Sequence, residues 1–322
     1  MAITNPSSAA GDKIAALTAT IVPRRRRGAA RPVWMEAPHP LAQIGKIVFL
    51  FLVAVVMIFP FIYIVAVSFS SARDVLAGGL ILFPKHPTLE AYQSVLRGGV
   101  VTRGLMVSIG LVAAGTVLKM VFSVALAYGL SKRGVPGAKF VLLLVLGTLL
   151  FSPGMIPSYL LVKDLGMIDT YRALILPGLV YAWNLIILRN FFMNIPLELL
   201  ESARLDGAND WHVLWRIVLP LSKPVLAVIA LFYGVDIWNA FFNAILYIND
   251  ASKWPIQLVL RQYVLQGSAL ASAVTLDPNQ PPPPAQTIQM AVVVLATVPI
   301  VLVYPFLQKY FTKGVLTGAI KG

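Results

Sequence analysis

Six long apolar stretches, separated by shorter polar segments, dominate the chain. Each is close to the roughly 20 residues that an α-helix needs to cross the hydrocarbon core of a bilayer. Pro153 and Pro157 interrupt the third stretch, and the run of four prolines at 281–284 must lie in a loop before the sixth. The pattern predicts an all-α, polytopic membrane protein with six transmembrane helices. We place these helices at 44–69, 104–130, 138–160, 171–192, 224–248 and 287–310.

The segment before the first apolar stretch has a different character. Residues 1–43 are rich in Ala, Pro and Ser and contain four consecutive arginines at 24–27. A signal peptide has an apolar core of only about 7–15 residues, which the stretch at 44–69 exceeds. We therefore predict an uncleaved signal anchor, preceded by a disordered cytoplasmic tail over 1–43, with the membrane domain over 44–322. The arginines either reinforce the orientation of the chain or contact anionic lipid.

Composition supports membrane insertion, and the distribution of charge predicts orientation. Apolar residues make up 58% of the chain and charged residues 12%, whereas soluble proteins carry roughly 25% charged residues. The net charge of +13 would suggest nucleic-acid binding in a soluble protein. Here, however, 17 Lys and Arg lie on the side that holds both termini and 8 lie on the other side. By the positive-inside rule, both termini are expected to be cytoplasmic.

The sequence lacks the residues and motifs that several kinds of functional site require. The chain has no cysteine, and His39, His86 and His212 all fall in the tail or in loops, so we expect no metal site within the membrane. The sequence contains no catalytic constellation and no GxxxxGK[ST] phosphate-binding loop. We therefore predict that the protein is not itself an enzyme. If ATP drives transport, another chain must hydrolyse it.

The longest loop on the predicted cytoplasmic side contains a motif with fixed spacing. Glu201, Ser202, Ala203 and Gly207 are followed after nine residues by the sequence Ile217-Val218-Leu219-Pro220. We predict a short helix over 197–205, a sharp turn at Gly207 and a second helix over 209–218. Small side chains would let this elbow (residues 197–220) enter a cleft on a partner protein. An ordinary amphipathic connecting loop is the alternative.

The spacing resembles the EAA motif of ABC importer permeases, the inner-membrane components of binding-protein-dependent transport systems. Ser202 departs from the pattern by replacing its first alanine. The chain from residue 44 onward is similar to maltose-type carbohydrate permeases, in particular their LplC- and YtcP-like branch. The stretches that carry this similarity are 154–178, 201–232 and 304–322.

The resemblance implies a type I ABC importer fold in the bacterial inner membrane, working by alternating access. It also implies four kinds of partner contact: a second, non-identical permease, two cytoplasmic ATPases, an extracytoplasmic solute-binding protein and the lipid bilayer. The ATPases would bind ATP and Mg²⁺, and this chain itself would hold no cofactor. The elbow would couple to them through Glu201, Ser202, Ala203, Gly207, Ile217, Leu219 and Pro220. The substrate would be an oligosaccharide, and uronic acids within it remain an open choice.

Two charged residues fall inside predicted spans, where charge is costly and suggests function. Asp236, Asn239 and Asn243 have helical spacing in the fifth span, and Lys119 has a similar depth in the second. We predict that Lys119 and Asp236 face the interior and pair. The pair either lines a sugar pathway or is a buried structural ion pair.

A second polar pair lies in the fourth predicted span. Tyr181 and Asn184 should face the same way, with Trp183 on another side. An aromatic ring and an amide suit the stacking and hydrogen bonding of a sugar, although aromatic residues near span ends also serve as interfacial anchors.

Asp236 also permits a rival interpretation from another class of protein. In a proton-coupled secondary transporter, a carboxylate at membrane depth would carry the proton. Uptake would then stop when the proton gradient collapses, even if ATP is maintained.

Overall fold

A computed structural model describes residues 40–132, 134–266 and 284–319. The predicted tail therefore lies almost entirely outside the described residues, and the first helix begins at Pro40, slightly before the predicted start. Within the described ranges the chain is helical and forms no strand. The helices are α1 (Pro40–Ser68), α2 (Ala72–Leu76), α3 (Glu90–Arg97), α4 (Val100–Ser131), α5 (Ala138–Leu150), α6 (Met155–Asp164), α7 (Arg172–Ile175), α8 (Ala182–Met193), α9 (Leu197–Leu205), α10 (Asp210–Val213), α11 (Leu219–Leu221), α12 (Lys223–Trp238), α13 (Phe241–Tyr247), α14 (Ile256–Gln266) and α15 (Ala285–Ala319).

Three of the six predicted spans are single helices. Among the described residues, Leu41–Ser68, Val100–Ser131 and Ala285–Pro305 are long and apolar enough to cross a membrane. A fourth candidate is a bent pair, in which Asp210–Leu221 and Lys223–Trp238 meet at 84°. These segments confirm the polytopic helical class.

The other three predicted spans are interrupted helices; the break in the third agrees with the prolines that the sequence places there, whereas the breaks in the fourth and fifth are additional to the prediction. Breaks separate α5 from α6, α7 from α8, and α12 from α13. Pro153 and Pro177 lie in the first two breaks, where a missing N–H prevents a continuous helical ladder. In the third break, the Asn239 side chain donates a hydrogen bond of 3.0 Å to the carbonyl of Val235. Asparagine competes in this way with the backbone's own hydrogen bonds.

Helix α4 lies at the centre of the packing, against α8, α12 and α14. Its buried residues recur every three or four positions and include Gly104, Ser108, Gly115, Lys119 and Ser123. Small residues allow close approach between helices in a membrane. At Gly115, for example, an added Cβ would lie 2.7 Å from Ile237 Cδ1. The buried stripe of α4 therefore fixes the positions of its neighbours and carries the buried charge.

A cluster of buried apolar side chains connects the elbow to α8 and α12. Val213, Leu214 and Val218 of the elbow are buried together with Leu188 of α8 and Ile229 of α12. These apolar side chains pack against α8 and α12. The elbow is therefore part of the packed core of the protein and is not a free surface loop.

Candidate functional site

A cavity of about 240 Å³ lies where the broken helices meet α4. At a helix break, backbone groups that are not bonded within the helix, together with polar side chains, can face a cavity inside the membrane domain. In a continuous helix the backbone groups bond to one another and are not available. The polar side chains that line it are Lys119, Ser158, Tyr181, Asp236 and Asn243. Apolar and small residues complete the wall, including Met155, Leu174, Gly178, Ile237, Phe242 and Tyr247.

The predicted pairing of the two intramembrane charges is confirmed. Lys119 Nζ lies 3.3 Å from Asp236 Oδ2. The two partners are unequally exposed, because the Lys119 side chain is 2% exposed and the Asp236 side chain 46%. The cavity therefore meets the carboxylate directly, while the ammonium group lies behind it. A buried charge without a partner is expensive, so each residue makes the other tolerable at this depth.

Tyr181 contacts both members of the ion pair. Its hydroxyl donates a hydrogen bond of 3.0 Å to Asp236 Oδ2, and its ring centroid lies 4.8 Å from Lys119 Nζ. This distance is within the range of a cation–π interaction. Tyr181 thus both binds the carboxylate and covers the ammonium group.

Two residues that the sequence analysis missed hold Tyr181 in place. Tyr233 Oη accepts a hydrogen bond of 3.2 Å from the Tyr181 backbone N–H and lies 2.7 Å from Ser123 Oγ. Gly178 lies against the tyrosine, since an added Cβ would be 2.9 Å from Tyr181 Oη. Tyr233 precedes Asp236 by three positions, so helical spacing was a signal for it. Gly178 had no such signal, because its role depends on a contact across the break.

The remaining predicted residues divide between the cavity and other positions. Asn243 lines the cavity, but Asn239 does not, because its amide binds the end of α12. Asn184 is buried and is not part of the cavity wall. Tyr181 therefore reaches the cavity without Asn184, because Tyr181 precedes α8, which begins only at Ala182. Trp183 is exposed, on another side as predicted.

Asp169 fixes one rim of the cavity. Its backbone N–H donates a hydrogen bond of 2.7 Å to the carbonyl of Tyr247, and its φ of 60° lies in the left-handed region. Its carboxylate accepts hydrogen bonds from the backbone N–H groups of Asn249 and Asp250 and from Lys253 Nζ, the last at 2.7 Å. The bond from Lys253 and those from the two amides lower the pKa of Asp169. No sequence spacing indicated this cluster, because it joins two loops that are about 80 residues apart in the chain.

The elbow has the secondary structure that the motif predicted over its first half. Helix α9 spans the predicted residues 197–205, and Gly207 has a φ of +82°, which permits the sharp turn. The Asn209 side chain then accepts a hydrogen bond of 2.8 Å from the His212 backbone and starts α10. The predicted second helix differs in detail, because residues 214–218 form a π-helical turn. Such turns often occur at functional positions.

The motif residues are arranged unevenly around the elbow. Glu201, Ser202, Gly207 and Pro220 are exposed, whereas Ala203, Ile217 and Leu219 are partly buried. Large apolar side chains accompany them on the surface, since Leu205 is 89% exposed and Trp211 and Trp215 are 66% and 57% exposed. An exposed apolar surface of this kind is typical of an interaction site.

An exposed ion-pair cluster joins the elbow to the end of α4. Asp210 Oδ2 lies 2.7 Å from Lys132 Nζ, and Asp210 Oδ1 lies 3.4 Å from an Nη atom of Arg204. The Tyr128 hydroxyl donates a hydrogen bond of 3.1 Å to the carbonyl of Asp210. The bond from Lys132, followed by the charges of Lys132 and Arg204, lowers the pKa of Asp210.

Comparison with known proteins gives consistent results over most of the chain. The family model of the binding-protein-dependent transport system inner membrane component matches residues 39–317. The polygalacturonan/rhamnogalacturonan transport system permease protein YtcP of Bacillus subtilis is 47% identical over 274 residues, covering 85% of this chain and 96% of YtcP. Protein LplC of Bacillus subtilis is 49% identical over 277 residues, covering 86% of this chain and 94% of LplC.

A solved structure agrees with these relatives. The crystal structure of a bacterial ABC transporter involved in the import of the acidic polysaccharide alginate contains a chain that is 31% identical. The match has a TM-score of 0.80 and covers 87% of this chain and all of the other. The fold is therefore that of a type I ABC importer permease, and the predicted resemblance is confirmed. The chain belongs to the family of binding-protein-dependent transport system inner membrane components, as a multi-pass permease of a carbohydrate ABC importer.

Proposed function

We propose that this permease imports an oligosaccharide by alternating access, driven by ATPases that bind its elbow. The observation that carries the proposal is the course of α12. One end of this helix carries Asp236 at the cavity, and the other end follows an 84° bend from the elbow. A force applied to the elbow therefore reaches the cavity through a single helix of 16 residues.

The exposed side of the elbow suits a partner protein. It combines the acidic Glu201 with the large apolar side chains of Leu205, Trp211 and Trp215. Aromatic residues are typical anchors of protein interfaces. Val213 and Val218 are buried against the body of the permease, so the elbow would move together with the helices behind it. ATP and Mg²⁺ would be bound by the partner ATPases and not by this chain.

The remaining partners and the orientation follow from the family and from the charge distribution. A solute-binding protein is implied by the family description, and a second, homologous permease would complete the pathway. The excess of Lys and Arg on the side of the elbow supports cytoplasmic termini. The cavity, lying away from the elbow along α12, would then receive substrate from the opposite side of the membrane.

The cavity offers groups that suit the hydroxyls of a sugar. Asp236 and Asn243 accept or donate hydrogen bonds, and Tyr181 adds an aromatic ring. Two similar proteins, YtcP and the alginate transporter, are named for acidic polysaccharides, which favours a uronic-acid-containing oligosaccharide. The ion pair is neutral as a whole, so the cavity would contribute hydrogen bonds and stacking, while selection of the acid would fall to the binding protein.

Reconstitution of the complete importer tests this proposal. The permeases, the ATPases and the binding protein are placed in proteoliposomes, and ATP hydrolysis and uptake of oligogalacturonides are measured together. We expect Trp215→Ala with Leu205→Ala to lower both rates at least tenfold by weakening ATPase binding. Val264→Ala with Leu265→Ala removes exposed apolar side chains from α14, outside the elbow, and should leave both rates near the wild-type value.

Two outcomes would overturn the proposal. One is normal ATP-coupled uptake by the elbow variant. The other is uptake that needs no ATP and stops when the proton gradient is collapsed, which would favour a proton carrier at Asp236.

A further inference from the structure

A second cavity, of about 470 Å³, lies apart from the site described above. It is formed by the end of α4, the connection to α5 and the last turns of α8. None of its lining residues belongs to the first cavity. The lining includes three basic residues, Lys132, Lys139 and Arg189, and the apolar residue Leu142.

The charge of this cavity is of one sign. Of the described residues that line it, Lys132, Lys139 and Arg189 are charged, and none is a carboxylate. Lys132 is paired with Asp210, but Lys139 has no ion pair with any residue in the described ranges. Arg189 uses Nε to donate a hydrogen bond of 2.9 Å to the carbonyl of Leu130, and this bond holds its guanidinium at the cavity. Its two Nη groups make no hydrogen bond to the residues that the structure describes, and a guanidinium can bind an anion through a pair of such bonds.

The cavity is placed where a membrane meets water. It lies between the last residue of the long apolar helix α4, Ser131, and the first residue of the apolar helix α5, Ala138. Phosphate groups of a bilayer lie at this level, just outside the hydrocarbon core.

Helix α5 supplies an apolar wall beside the charged cavity. Leu142 lines the cavity, while Phe140, Leu143 and Leu144 are 65%, 66% and 57% exposed. A free phosphate or a nucleotide would not use such a wall. A lipid would use both parts, because its phosphate fits the cations and its acyl chains cover the apolar side chains.

We propose that this cavity binds the phosphate headgroup of an anionic membrane lipid, with the acyl chains lying along α5. The site joins the end of α4, which contacts the elbow through Lys132 and Asp210, to α5 and α8. A bound lipid would therefore stabilise the arrangement of these three helix ends. Binding of a lipid at this cavity depends neither on which sugar is transported nor on how the ATPases are coupled.

Native mass spectrometry of the purified importer complex tests the site. The complex is titrated with phosphatidylglycerol, with phosphatidylcholine as the zwitterionic lipid and with inorganic phosphate as the anion without acyl chains. We expect tight binding of phosphatidylglycerol only. Each basic residue near a membrane surface contributes about fivefold to anionic-lipid binding, so Lys139→Gln should weaken it about fivefold and Lys139→Gln with Arg189→Gln roughly 25-fold.

Two controls separate loss of the site from loss of the fold. Lys139 makes no ion pair within the described residues, so Lys139→Gln should leave the thermal unfolding of the complex without added lipid unchanged. Lys46→Gln removes an exposed lysine of α1 that does not line the cavity, and lipid binding should keep the wild-type value. Arg189→Lys keeps the charge and should lose less affinity than Arg189→Gln.

Three results would overturn the proposal. They are equal binding of phosphatidylcholine and phosphatidylglycerol, displacement of the lipid by inorganic phosphate at a similar concentration, and unchanged lipid binding by Lys139→Gln with Arg189→Gln. Absence of bound lipid from the complex would also overturn it, because another subunit would then cover the cavity.

Discussion

Two ion pairs lie on either side of the bend that leads into α12: one joins Asp236 of α12 to Lys119, and the other joins Asp210 of the elbow to Lys132. At the cavity, Lys119 is almost completely hidden and its contact with Asp236 is 3.3 Å long. At the elbow, Asp210 is 61% exposed although its contact with Lys132 is shorter, at 2.7 Å. Distance alone would rank the elbow pair as the stronger one.

Burial reverses that ranking. An exposed ion pair contributes about 0–1 kcal/mol, because water solvates both charges when the pair separates. The loss of one partner from a buried pair costs about 3–5 kcal/mol, because the other charge stays in a medium that cannot solvate it. The cavity pair is therefore hard to break, while the elbow pair is free to open and close. This difference would suit the proposed function, in which the cavity keeps its geometry while the surface contacts of the elbow rearrange.

The largest expected effect comes from the removal of Asp236. Asp236→Asn leaves Lys119 buried and without a carboxylate, and should lower the free energy of unfolding by about 3 kcal/mol. Lys119→Met leaves Asp236 half-exposed to the cavity, where water solvates it, and should cost roughly half as much. Thermal unfolding of the complex in detergent measures both variants. The double variant Lys119→Met with Asp236→Asn should recover most of the loss. If Lys119→Met is the more damaging of the two single variants, the assignment of the buried partner is wrong.

A smaller effect is expected from crowding the same pair. Gly178→Ala places a Cβ 2.9 Å from Tyr181 Oη and 3.4 Å from Lys119 Nζ. Overpacking of this kind typically costs about 1–3 kcal/mol, and here it should also displace the hydroxyl that binds Asp236. Sugar-stimulated ATP hydrolysis and thermal unfolding report the two consequences. Gly147→Ala in α5, where no atom lies within 4 Å of the new Cβ, is the matched control and should not reduce either value.

The sequence predicts the elbow far better than the cavity, and the reason is physical. Glu201, Gly207 and Pro220 are close in sequence, and the short helix and the turn between them depend on local backbone preferences. Lys119 and Asp236 were also found, because charge in an apolar span is a signal without any structure. Gly178 was not found, because its importance depends on a contact with Tyr181 across a helix break.

The continuity of the helices was the part that hydropathy could not predict. An apolar stretch has the same mean hydropathy whether it forms one helix or two. Pro177 in the fourth span and Asn239 in the fifth mark the breaks only in retrospect, because both residues also occur inside intact membrane helices. The lining of the cavity follows from those breaks, so helical spacing alone could not show that Asn243 lines it while Asn239 and Asn184 do not.

The turn of the elbow offers a third perturbation, of about 1 kcal/mol. Gly207 has a φ of +82° and no neighbouring atom within 4 Å of an added Cβ, so Gly207→Ala strains the backbone without a steric clash. We expect thermal unfolding to change little and coupling, measured as sugar molecules imported per ATP hydrolysed, to fall. Gly207→Asn should be milder, because asparagine tolerates the left-handed region better than alanine. If both variants import as many sugar molecules per ATP as the wild type, the geometry of this turn does not limit transport.

The smallest effect should come from the exposed pair at the elbow. Asp210→Asn removes the carboxylate that binds Lys132 and Arg204 and should cost about 0.5 kcal/mol, less at high salt, because solvent screens the pair. The pKa of Asp210 is lowered in the folded protein, so its contribution is complete above the ordinary carboxyl pKa of about 3.9 and is lost as pH falls through the lower, folded value. Thermal unfolding of the wild type and of Asp210→Asn should therefore differ slightly at pH 7 and converge as the pH falls through the lowered pKa of Asp210. A difference that persists in molar salt, or that grows as the pH falls, would mean that the elbow pair is as hard to separate as the pair at the cavity.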